Sequence, residues 1–278
     1  MKKKRIIFIG SNSFIAKNVI KDLSKFNYNI VKITRKLIDL EKQNSIKNLN
    51  NIIKDDDIVF FAAGIVPVKN NKMLLKNIKM IDNFIKGSLN KKIKHFYYLS
   101  SDAVYSDSLK PLSEKSSTKP DNFHGLMHLS REYIIKNSFK KSRITIFRPT
   151  LVFGSNDPHN GYGPNSFYRL AKNNKNIRLY GQGEEKRDHI FISDLSKLIC
   201  KCINKNLVGD FNLATGKLYS FMKIANIIKS KFNIVDIITT ERNSPMPHNG
   251  YRAFQVNKIK LISNNFRFTT IEKWVKSL

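Results

Sequence analysis

The sequence predicts an α/β protein built on a doubly wound parallel sheet, with a small C-terminal lobe. Short apolar runs rich in β-branched residues alternate with longer amphipathic stretches up to residue 148, which is the pattern of parallel strands covered by helices. Strands are predicted near 4–9, 29–34, 57–62, 93–100 and 143–148, and helices near 13–25, 44–53, 70–88 and 124–139. Strand–helix alternation of this kind folds with right-handed crossovers.

The alternation changes after Gly154. Loops and short strands follow, with helices predicted near 164–174, 193–205, 219–231 and 269–277. We expect a sheet domain over residues 1–154 and a smaller lobe over residues 155–278, interleaved because some segments of the lobe return to the sheet. Ligands of doubly wound folds bind at the carboxyl ends of the strands, so we expect the lobe to cover that edge.

The net charge invites a nucleic-acid function, since 50 Lys and Arg residues oppose 21 Asp and Glu residues, giving a formal charge of +29 over 278 residues. The lysines, however, are scattered beside abundant Asn and Ile, and they form no basic stripe with interleaved aromatic residues. A Lys-, Asn- and Ile-rich proteome explains this composition more simply. We therefore expect no nucleic-acid partner; tight DNA binding with a steep salt dependence would contradict this.

The sequence predicts neither membrane insertion, nor export, nor a metal site. No apolar run reaches the roughly 18 residues that span a bilayer, and the apolar stretch before Gly10 is too short for a signal peptide. Cys200 and Cys202 lie two residues apart in a predicted helix, where their side chains diverge, so we interpret them as free buried thiols. These features predict a cytoplasmic protein without a bound metal.

The segment from Ser100 to Glu132 is the most informative about function. A predicted strand ends in Ser100-Ser101-Asp102-Ala103-Val104-Tyr105, and a predicted helix opens with His124-Gly125-Leu126-Met127-His128-Leu129-Ser130-Arg131-Glu132. These motifs resemble the active site of the extended short-chain dehydrogenases/reductases, which modify sugar nucleotides and carry Tyr-Gly-x-Ser-Lys-x-x-x-Glu on this helix. His124 stands at the Tyr position and His128 at the Lys position. The resemblance implies a Rossmann-type sheet, a nicotinamide cofactor, a nucleotide-sugar substrate and a homodimer formed through the helices near 70–88 and 124–139.

The first predicted strand leads into Gly10-Ser11-Asn12-Ser13-Phe14-Ile15-Ala16, where the family carries Gly-x-x-Gly-x-x-Gly. Gly10 allows a tight turn, Ser13 is small enough for the backbone to approach a pyrophosphate, and Ala16 permits close helix packing. We expect the cofactor at this loop; a plain strand–helix turn is the alternative. The expected cofactor contacts are Gly10, Ser13, Phe14 and Ile15, and by resemblance Asp39 near the adenine, Ala62, Ala63 and Gly64 in a small-residue loop, and Pro149 beside the nicotinamide.

The end of the second predicted strand bears on the choice of cofactor. NAD-binding proteins usually carry Asp or Glu there for the ribose 2′-hydroxyl, whereas this chain has Arg35 and Lys36. Two cations suit a 2′-phosphate through charge-assisted hydrogen bonds, so we favour NADP over NAD. The alternative is that both residues are solvated surface charges.

The histidine pair decides what chemistry the resemblance implies. In the family, the Tyr moves a proton at a sugar hydroxyl or carbonyl, the Lys lowers its pKa and binds the nicotinamide ribose, and a Ser shares the oxygen. An imidazole has a reference pKa of about 6.5, against about 10 for a phenol, so it needs no lysine to act near neutrality. We expect His124 as acid/base, Ser101 as oxygen partner and His128 on the ribose, with activity falling in acid. Proton transfer by Tyr105 or Asp102 is the alternative within an enzyme.

Two further patterns narrow the interpretation. The family's 4,6-dehydratases have Asp-Glu after their Thr, but Asp102 is followed here by Ala103, which argues against dehydration and leaves reduction or epimerisation open. Tyr-x-x-x-Lys spacing also occurs at Tyr28/Lys32, Tyr168/Lys172 and Tyr219/Lys223. Only the histidine pair follows the Ser101 strand at the family's spacing.

The C-terminal half carries motifs for a nucleotide-sugar. Gly181 to Asp194 resembles the family signature Gly-x-Gly-x-x-x-Arg-Asp-x-x-x-x-x-Asp. By this resemblance Arg187 binds the nucleotide diphosphate, and Arg252 is a second phosphate ligand by a looser match. Asp188 is expected to orient the loop, and Asp194 to cap a helix that starts near 195.

These motifs predict an NAD(P)-dependent nucleotide-sugar epimerase or reductase that works in surface polysaccharide biosynthesis. The alternative is a non-catalytic NAD(P)-binding protein of the same fold. The two missing glycines and the replaced Tyr and Lys favour that alternative, and a turnover assay separates the two.

Overall fold

The computed structural model describes residues 3–232 and 235–278. Two units share the chain, and each is assembled from several segments. The first contains the described residues up to Ser106 together with Ser116–Arg148 and Ser196–Phe211. The second contains Asp107–Lys115, Pro149–Leu195 and the described residues of Asn212–Leu278.

Twelve strands and nine helices lie in the described residues. The strands are β1 (Lys4–Ile9), β2 (Tyr28–Ile33), β3 (Ile58–Phe61), β4 (His95–Leu99), β5 (Arg143–Pro149), β6 (Leu151–Phe153), β7 (Ile177–Tyr180), β8 (Lys186–Phe191), β9 (Gly209–Leu213), β10 (Leu218–Ser220), β11 (Ile237–Thr240) and β12 (Tyr251–Arg252). The helices are α1 (Phe14–Leu23), α2 (Ser45–Ile52), α3 (Asn71–Ser88), α4 (Phe123–Ser138), α5 (Pro164–Lys172), α6 (Ile192–Lys205), α7 (Phe221–Lys229), α8 (Ile259–Ile262) and α9 (Ile271–Lys276). Single 3-10 turns lie at Asp102–Val104 and Pro247–Gly250.

The main sheet has six strands in the order β2-β1-β3-β4-β5-β9. Neighbouring strands from β2 to β5 pair in parallel, and all four residues of β3 are buried, as expected for a central strand covered by helices. The fold class predicted from the sequence is confirmed, and the predicted strands and helices of this sheet lie close to the observed ones. The sixth strand, β9, was not predicted.

Local sequence determines where the two helices nearest the candidate site begin. Ser13 caps α1 by accepting a hydrogen bond from the Ala16 N–H (3.2 Å). Asn122 caps α4 by accepting one from the Gly125 N–H (2.9 Å). Both side chains satisfy a donor that the first helical turn leaves unpaired. Helix α1 then buries one face, made of Ala16, Val19, Ile20 and Leu23.

The second unit is organised around β8, which pairs with β6 and β12 in parallel and with β10 in the antiparallel sense. Helix α6 begins at Ile192, directly after β8, and not near residue 195. The prediction that Asp194 caps this helix is therefore wrong. Its carboxylate instead accepts hydrogen bonds from the N–H (2.5 Å) and the hydroxyl (3.3 Å) of Thr269, and so ties α6 to the segment before α9.

The described residues contain neither a helix that could span a membrane nor a cluster of metal-ligating side chains. No helix in 3–232 or 235–278 is long and apolar enough to cross a bilayer. In the same residues, no three His, Cys, Asp or Glu side chains are placed to hold a metal ion together. Cys200 and Cys202 are buried thiols, and burial raises the pKa of Cys200 to about 12.

A buried ion pair joins α4 to the sheet inside the first unit. Arg148, on β5, donates from Nε to Glu132 Oε1 (2.9 Å) and from Nη2 to Glu132 Oε2 (2.5 Å), and both side chains are at most 3% exposed. The same carboxylate accepts a hydrogen bond from the Ser100 hydroxyl (2.6 Å). The guanidinium also reaches Tyr105 Oη (2.9 Å) and Asp210 Oδ2 (3.0 Å). Glu132 therefore fixes α4 relative to β5 and to the end of β4.

Replacing Glu132 by Ala should destabilise the protein by roughly 3–5 kcal/mol, because the change leaves the Arg148 charge buried without its main partner. The matched control is Asp82→Ala, which breaks the exposed Asp82–Lys86 pair (2.7 Å) and should cost less than about 1 kcal/mol. Urea denaturation measures both. Equal losses in the two variants would contradict a structural role for the buried pair.

Candidate active site

A cleft in the first unit lies at the carboxyl ends of β1, β2 and β3, where doubly wound sheets bind dinucleotides. It encloses about 190 Å³. Six of the predicted cofactor contacts line it, namely Gly10, Ser13, Arg35, Ala62, Ala63 and Gly64. Phe14 and Ile15 are half-buried in the first turn of α1 and do not line this cleft, and neither does Asp39. Pro149 ends β5 and is assigned to the second unit.

Backbone geometry explains why the first residue of this loop is glycine. Gly10 has φ +80°, a conformation that side chains disfavour. A Cβ atom there would also lie 2.6 Å from the backbone N and Cα of Ala63. The loop after β1 therefore packs directly on the loop after β3. At this contact the wall of the cleft consists of backbone and small side chains, which suits the close approach of a phosphate group.

Charges of both signs lie around Arg35, which lines the cleft. Arg35 contacts Glu41 (Nη2 to Oε1, 2.7 Å) and lies near Asp39 (Nε to Oδ2, 3.7 Å), while Lys76 pairs with the other oxygen of Glu41 (3.1 Å). The Arg35 side chain is 62% exposed and so can rearrange. Glu41 was not singled out from the sequence, because its meeting with Arg35 depends on how the loop after β2 folds back.

The two histidines lie next to each other on α4. The rings of His124 and His128 are 4.8 Å apart and perpendicular, as residues four apart on a helix allow. Gly125 lets this part of α4 approach the turn after β4, because a Cβ atom there would lie 2.1 Å from the Ala103 carbonyl oxygen and 2.6 Å from Pro120 Cβ. Ser101 opens that turn, and its hydroxyl oxygen accepts the Ala103 N–H (3.2 Å).

The two imidazoles have different surroundings. His124 is half-buried, and its Nδ1 accepts a long contact from the Val68 N–H (3.5 Å). His128 is buried, and its Nδ1 lies 2.8 Å from the Tyr98 hydroxyl. Burial, and then the proximity of His124 and Arg131, lowers the pKa of His128 well below its usual value, so this imidazole is neutral near pH 7.

Tyr98 and Arg131 are functional candidates that the sequence analysis missed. Burial raises the pKa of the Tyr98 phenol, so it keeps its proton. Arg131 is the cation beside the phenol, and a guanidinium offers no acceptor for the phenol proton. The phenol proton is then directed at His128 Nδ1, which places the imidazole proton of His128 on Nε2. The spacing 124, 128, 131 on one helical face was the available signal.

Arg131 is a buried cation beside the cofactor loop. It is 1% exposed, and it donates to the carbonyl oxygens of Ala63 (2.7 Å) and Asn77 (from Nε, 3.0 Å). Its guanidinium carbon also lies 5.5 Å from the centre of the Phe61 ring. Backbone carbonyls and an aromatic face solvate the charge without cancelling it. A positive potential therefore acts on the cleft and on His128.

Tyr105 is part of the buried ion-pair network. It is 2% exposed, its hydroxyl oxygen accepts from Arg148 (2.9 Å), and its ring lies 5.0 Å from the Arg148 guanidinium carbon. These contacts give the phenol a structural task and argue against the alternative that Tyr105 supplies the catalytic proton.

In the second unit, the predicted phosphate ligands lie side by side. Arg252 on β12 is the parallel register partner of Arg187 on β8, so the two side chains leave the same face of the sheet. Arg187 pairs with Glu185 (2.7 Å). Asp188 is buried and accepts hydrogen bonds from the N–H groups of Thr215 (3.0 Å) and Gly216 (2.7 Å), which fits the loop-orienting role expected from the sequence.

Replacing Gly125 by Ala should destabilise the protein by roughly 1–3 kcal/mol, because the added methyl group must displace the Ala103 carbonyl. The sign of this stability change is informative, because a Gly to Ala change inside a helix otherwise stabilises a protein by about 1 kcal/mol. Gly161→Ala is the control, because its Cβ would meet nothing within 4 Å. Chemical denaturation measures both; a neutral or stabilising Gly125→Ala change would contradict the close approach.

Comparison with known proteins agrees with this fold. A curated GDP-6-deoxy-D-talose 4-dehydrogenase from Aggregatibacter actinomycetemcomitans is 25% identical over 280 residues, covering 96% of this chain and 94% of that protein. A solved UDP-N-acetylglucosamine 4-epimerase from Methanobrevibacter ruminantium M1, in complex with UDP-N-acetylmuramic acid, has a TM-score of 0.82 at 22% identity, covering 99% of this chain and 98% of its own. The UDP-glucuronic acid 4-epimerase from Bacillus cereus, solved with UDP-glucuronic acid and NAD, has a TM-score of 0.83 at 17% identity, with coverages of 98% and 96%. The model of the NAD dependent epimerase/dehydratase family matches residues 6–214, and the chain belongs to that family.

Proposed function

We propose that this protein oxidises or reduces a nucleotide-activated sugar at a hydroxyl or carbonyl carbon, as an epimerase or a reductase, in surface polysaccharide biosynthesis. The observation that carries the proposal is the His124–His128 pair, with rings 4.8 Å apart, on a helix that Gly125 packs against the Ser101 turn. Family membership and nucleotide-sugar relatives support the substrate class.

The residues of the first unit divide the proton chemistry between them. In the oxidising direction, His124 takes the proton of the sugar hydroxyl while Ser101 holds the same oxygen by a hydrogen bond. In the reducing direction, His124 returns that proton to the oxygen of the carbonyl. A nicotinamide dinucleotide, when bound, supplies the hydride acceptor or donor. The cleft lined by Gly10, Ser13 and Ala63 has the backbone lining that such a cofactor needs.

His128 serves in this proposal through its Nε2–H group. Tyr98 holds Nδ1, so Nε2 carries the proton and can donate to a ribose hydroxyl. The lowered pKa of His128 keeps it neutral beside His124, which avoids two adjacent imidazolium ions. The family's lysine supplies a positive charge at this position. Here the buried Arg131, one turn further along α4, is the source of positive potential.

Replacing His124 by Ala should lower kcat by roughly 10²–10⁴-fold, the usual contribution of a general acid/base, and should leave the cofactor Kd unchanged. His159→Ala, which removes an exposed histidine, is the control. With a panel of UDP-, GDP-, CDP- and dTDP-sugars, net oxidation or reduction is followed by nicotinamide absorbance, and epimerisation, which leaves the cofactor unchanged, by chromatography of the sugar product. Calorimetry measures the Kd. Undiminished turnover in His124→Ala would refute the assignment. Cofactor binding without turnover, even in the native protein, would establish the non-catalytic alternative.

We further propose that the cofactor is NADP, because Arg35 lines the cleft where a 2′-phosphate would lie. Glu41 competes for that guanidinium at 2.7 Å. An exposed pair of this kind is worth at most about 1 kcal/mol, so a phosphate dianion can displace the carboxylate.

Replacing Glu41 by Gln should strengthen NADPH binding by about fivefold, the equivalent of that energy, and leave NADH binding unchanged. Arg35→Ala should weaken NADPH binding alone. Asp82→Asn, which removes an exposed carboxylate on α3, is the matched control. Calorimetric titration measures each Kd. Tighter binding of NADH than of NADPH by the native protein would overturn the choice of cofactor.

A further inference from the structure

A histidine in the second unit is held in an uncommon backbone conformation beside the two phosphate-ligand arginines. His248 and Asn249 have φ values of +53° and +49°, followed by Gly250 at +75°. Left-handed backbone is uncommon for residues other than glycine, although Asn, Asp and His adopt it more readily than others. The turn leads directly into β12 and Arg252.

The imidazole of His248 is anchored by one carboxylate. Its Nδ1 lies 2.5 Å from Asp107 Oδ1, and Arg252 Nη1 lies 3.3 Å from the same oxygen. Arg252 Nη1 also lies 3.1 Å from Nδ1, but the Asp107 oxygen is closer and a carboxylate only accepts, so Nδ1 carries a proton and donates to Asp107. Nε2 then carries the second proton only when the ring is charged.

The charged groups that face His248 come from three segments of the second unit. They are Asp107 in the segment Asp107–Lys115, Arg187 on β8 and Arg252 on β12. Burial, and then the charges of the two arginines, lowers the pKa of His248, while Asp107 acts in the opposite direction. The ring is therefore neutral near pH 7 in the free protein. Arg242 also approaches Glu185 (3.6 Å), so three guanidinium groups and one imidazole share two carboxylates within this described cluster.

We propose that His248 is a third ligand for the diphosphate of the substrate, beside Arg187 and Arg252, and that it takes up one proton from solvent when the diphosphate binds. The inference rests on the proposed function, which supplies a nucleotide-sugar carrying two phosphate negative charges. Those charges reverse the electric field that the arginines exert on His248. The imidazolium then donates from Nδ1 to Asp107 and from Nε2 to a phosphate oxygen.

The sign of the pH dependence follows from the two protonation states. His248 is neutral in the free protein and charged in the complex, so binding consumes a proton between the free and bound pKa values. Affinity is therefore highest in acid, falls as pH rises from the free to the bound pKa value by at most about tenfold per pH unit, and levels off above the pKa of the complex. Nucleotide-sugars are suitable probes because their diphosphate diester does not titrate near neutrality.

The test is calorimetric titration of the full chain with UDP-glucose, GDP-mannose and dTDP-glucose between about pH 6 and about pH 8.5, a range that spans imidazole titration. Titration at one pH in two buffers of different ionisation heat counts the protons taken up. We expect uptake approaching one proton per nucleotide-sugar bound, and weaker binding at alkaline pH.

Two variants assign the proton. His248→Asn keeps a residue that tolerates left-handed backbone. The variant should take up no proton, and at every pH it should bind the nucleotide-sugar as weakly as the native protein does at alkaline pH. His159→Asn, an exposed histidine of the same unit, should behave as the native protein. Thermal unfolding of each variant checks that it is folded.

The outcomes separate this inference from the proposed function. Binding without proton uptake in the native protein contradicts the inference and leaves the proposed function intact. Uptake that persists in His248→Asn assigns the proton to another group and also contradicts the inference. Absence of binding by all three nucleotide-sugars at every pH contradicts the proposed function, and the inference with it.

Discussion

The close approach of α4 to the turn after β4 is the constraint on which the rest of the candidate site depends. Gly125 permits the contact, since a Cβ atom would lie 2.1 Å from the Ala103 carbonyl oxygen. Because the helix is rigid, this one contact sets the height of His124 and His128 relative to Ser101. The Glu132–Arg148 pair fixes the same helix two turns further along. Position and direction of the helix are therefore determined by one steric and one electrostatic contact, both buried.

Arg131 and Glu132 are adjacent on α4 and have opposite charges, but their surroundings differ. Glu132 is neutralised by Arg148, whose guanidinium has Asp210 as a further partner. Arg131 meets the carbonyl oxygens of Ala63 and Asn77, which stabilise its charge without cancelling it. The Glu132 carboxylate thus holds the helix in place, while the Arg131 guanidinium adds positive potential to the cleft. This separation explains how a buried cation can influence His128 without an ion pair in between.

Periodicity and spacing predicted the sheet, because its strands are continuous apolar runs and its helices have clear caps such as Ser13 and Asn122. They did not predict β9, whose five residues, Gly-Asp-Phe-Asn-Leu, mix polar and apolar side chains. Asp194 was misread because α6 follows β8 with no loop between them. Tyr98 could not be found from spacing, since its role depends on a hydroxyl crossing from β4 to α4. Local patterns predict elements, and contacts between elements need the fold.

His124 and His128 stand at the Tyr and Lys positions of the family motif, and the two histidines make physical sense only together. A phenol with a reference pKa of about 10 needs a nearby ammonium to titrate near neutrality, whereas an imidazole at about 6.5 does not. A lysine kept at position 128 beside His124 would therefore push the imidazole pKa down and weaken it as a base. A neutral His128 avoids this, because Tyr98 and burial prevent it from charging. By the same reasoning, Tyr restored at position 124 alone would lack an ammonium one helical turn away and would have only the more distant Arg131, so a single reversion recovers neither arrangement.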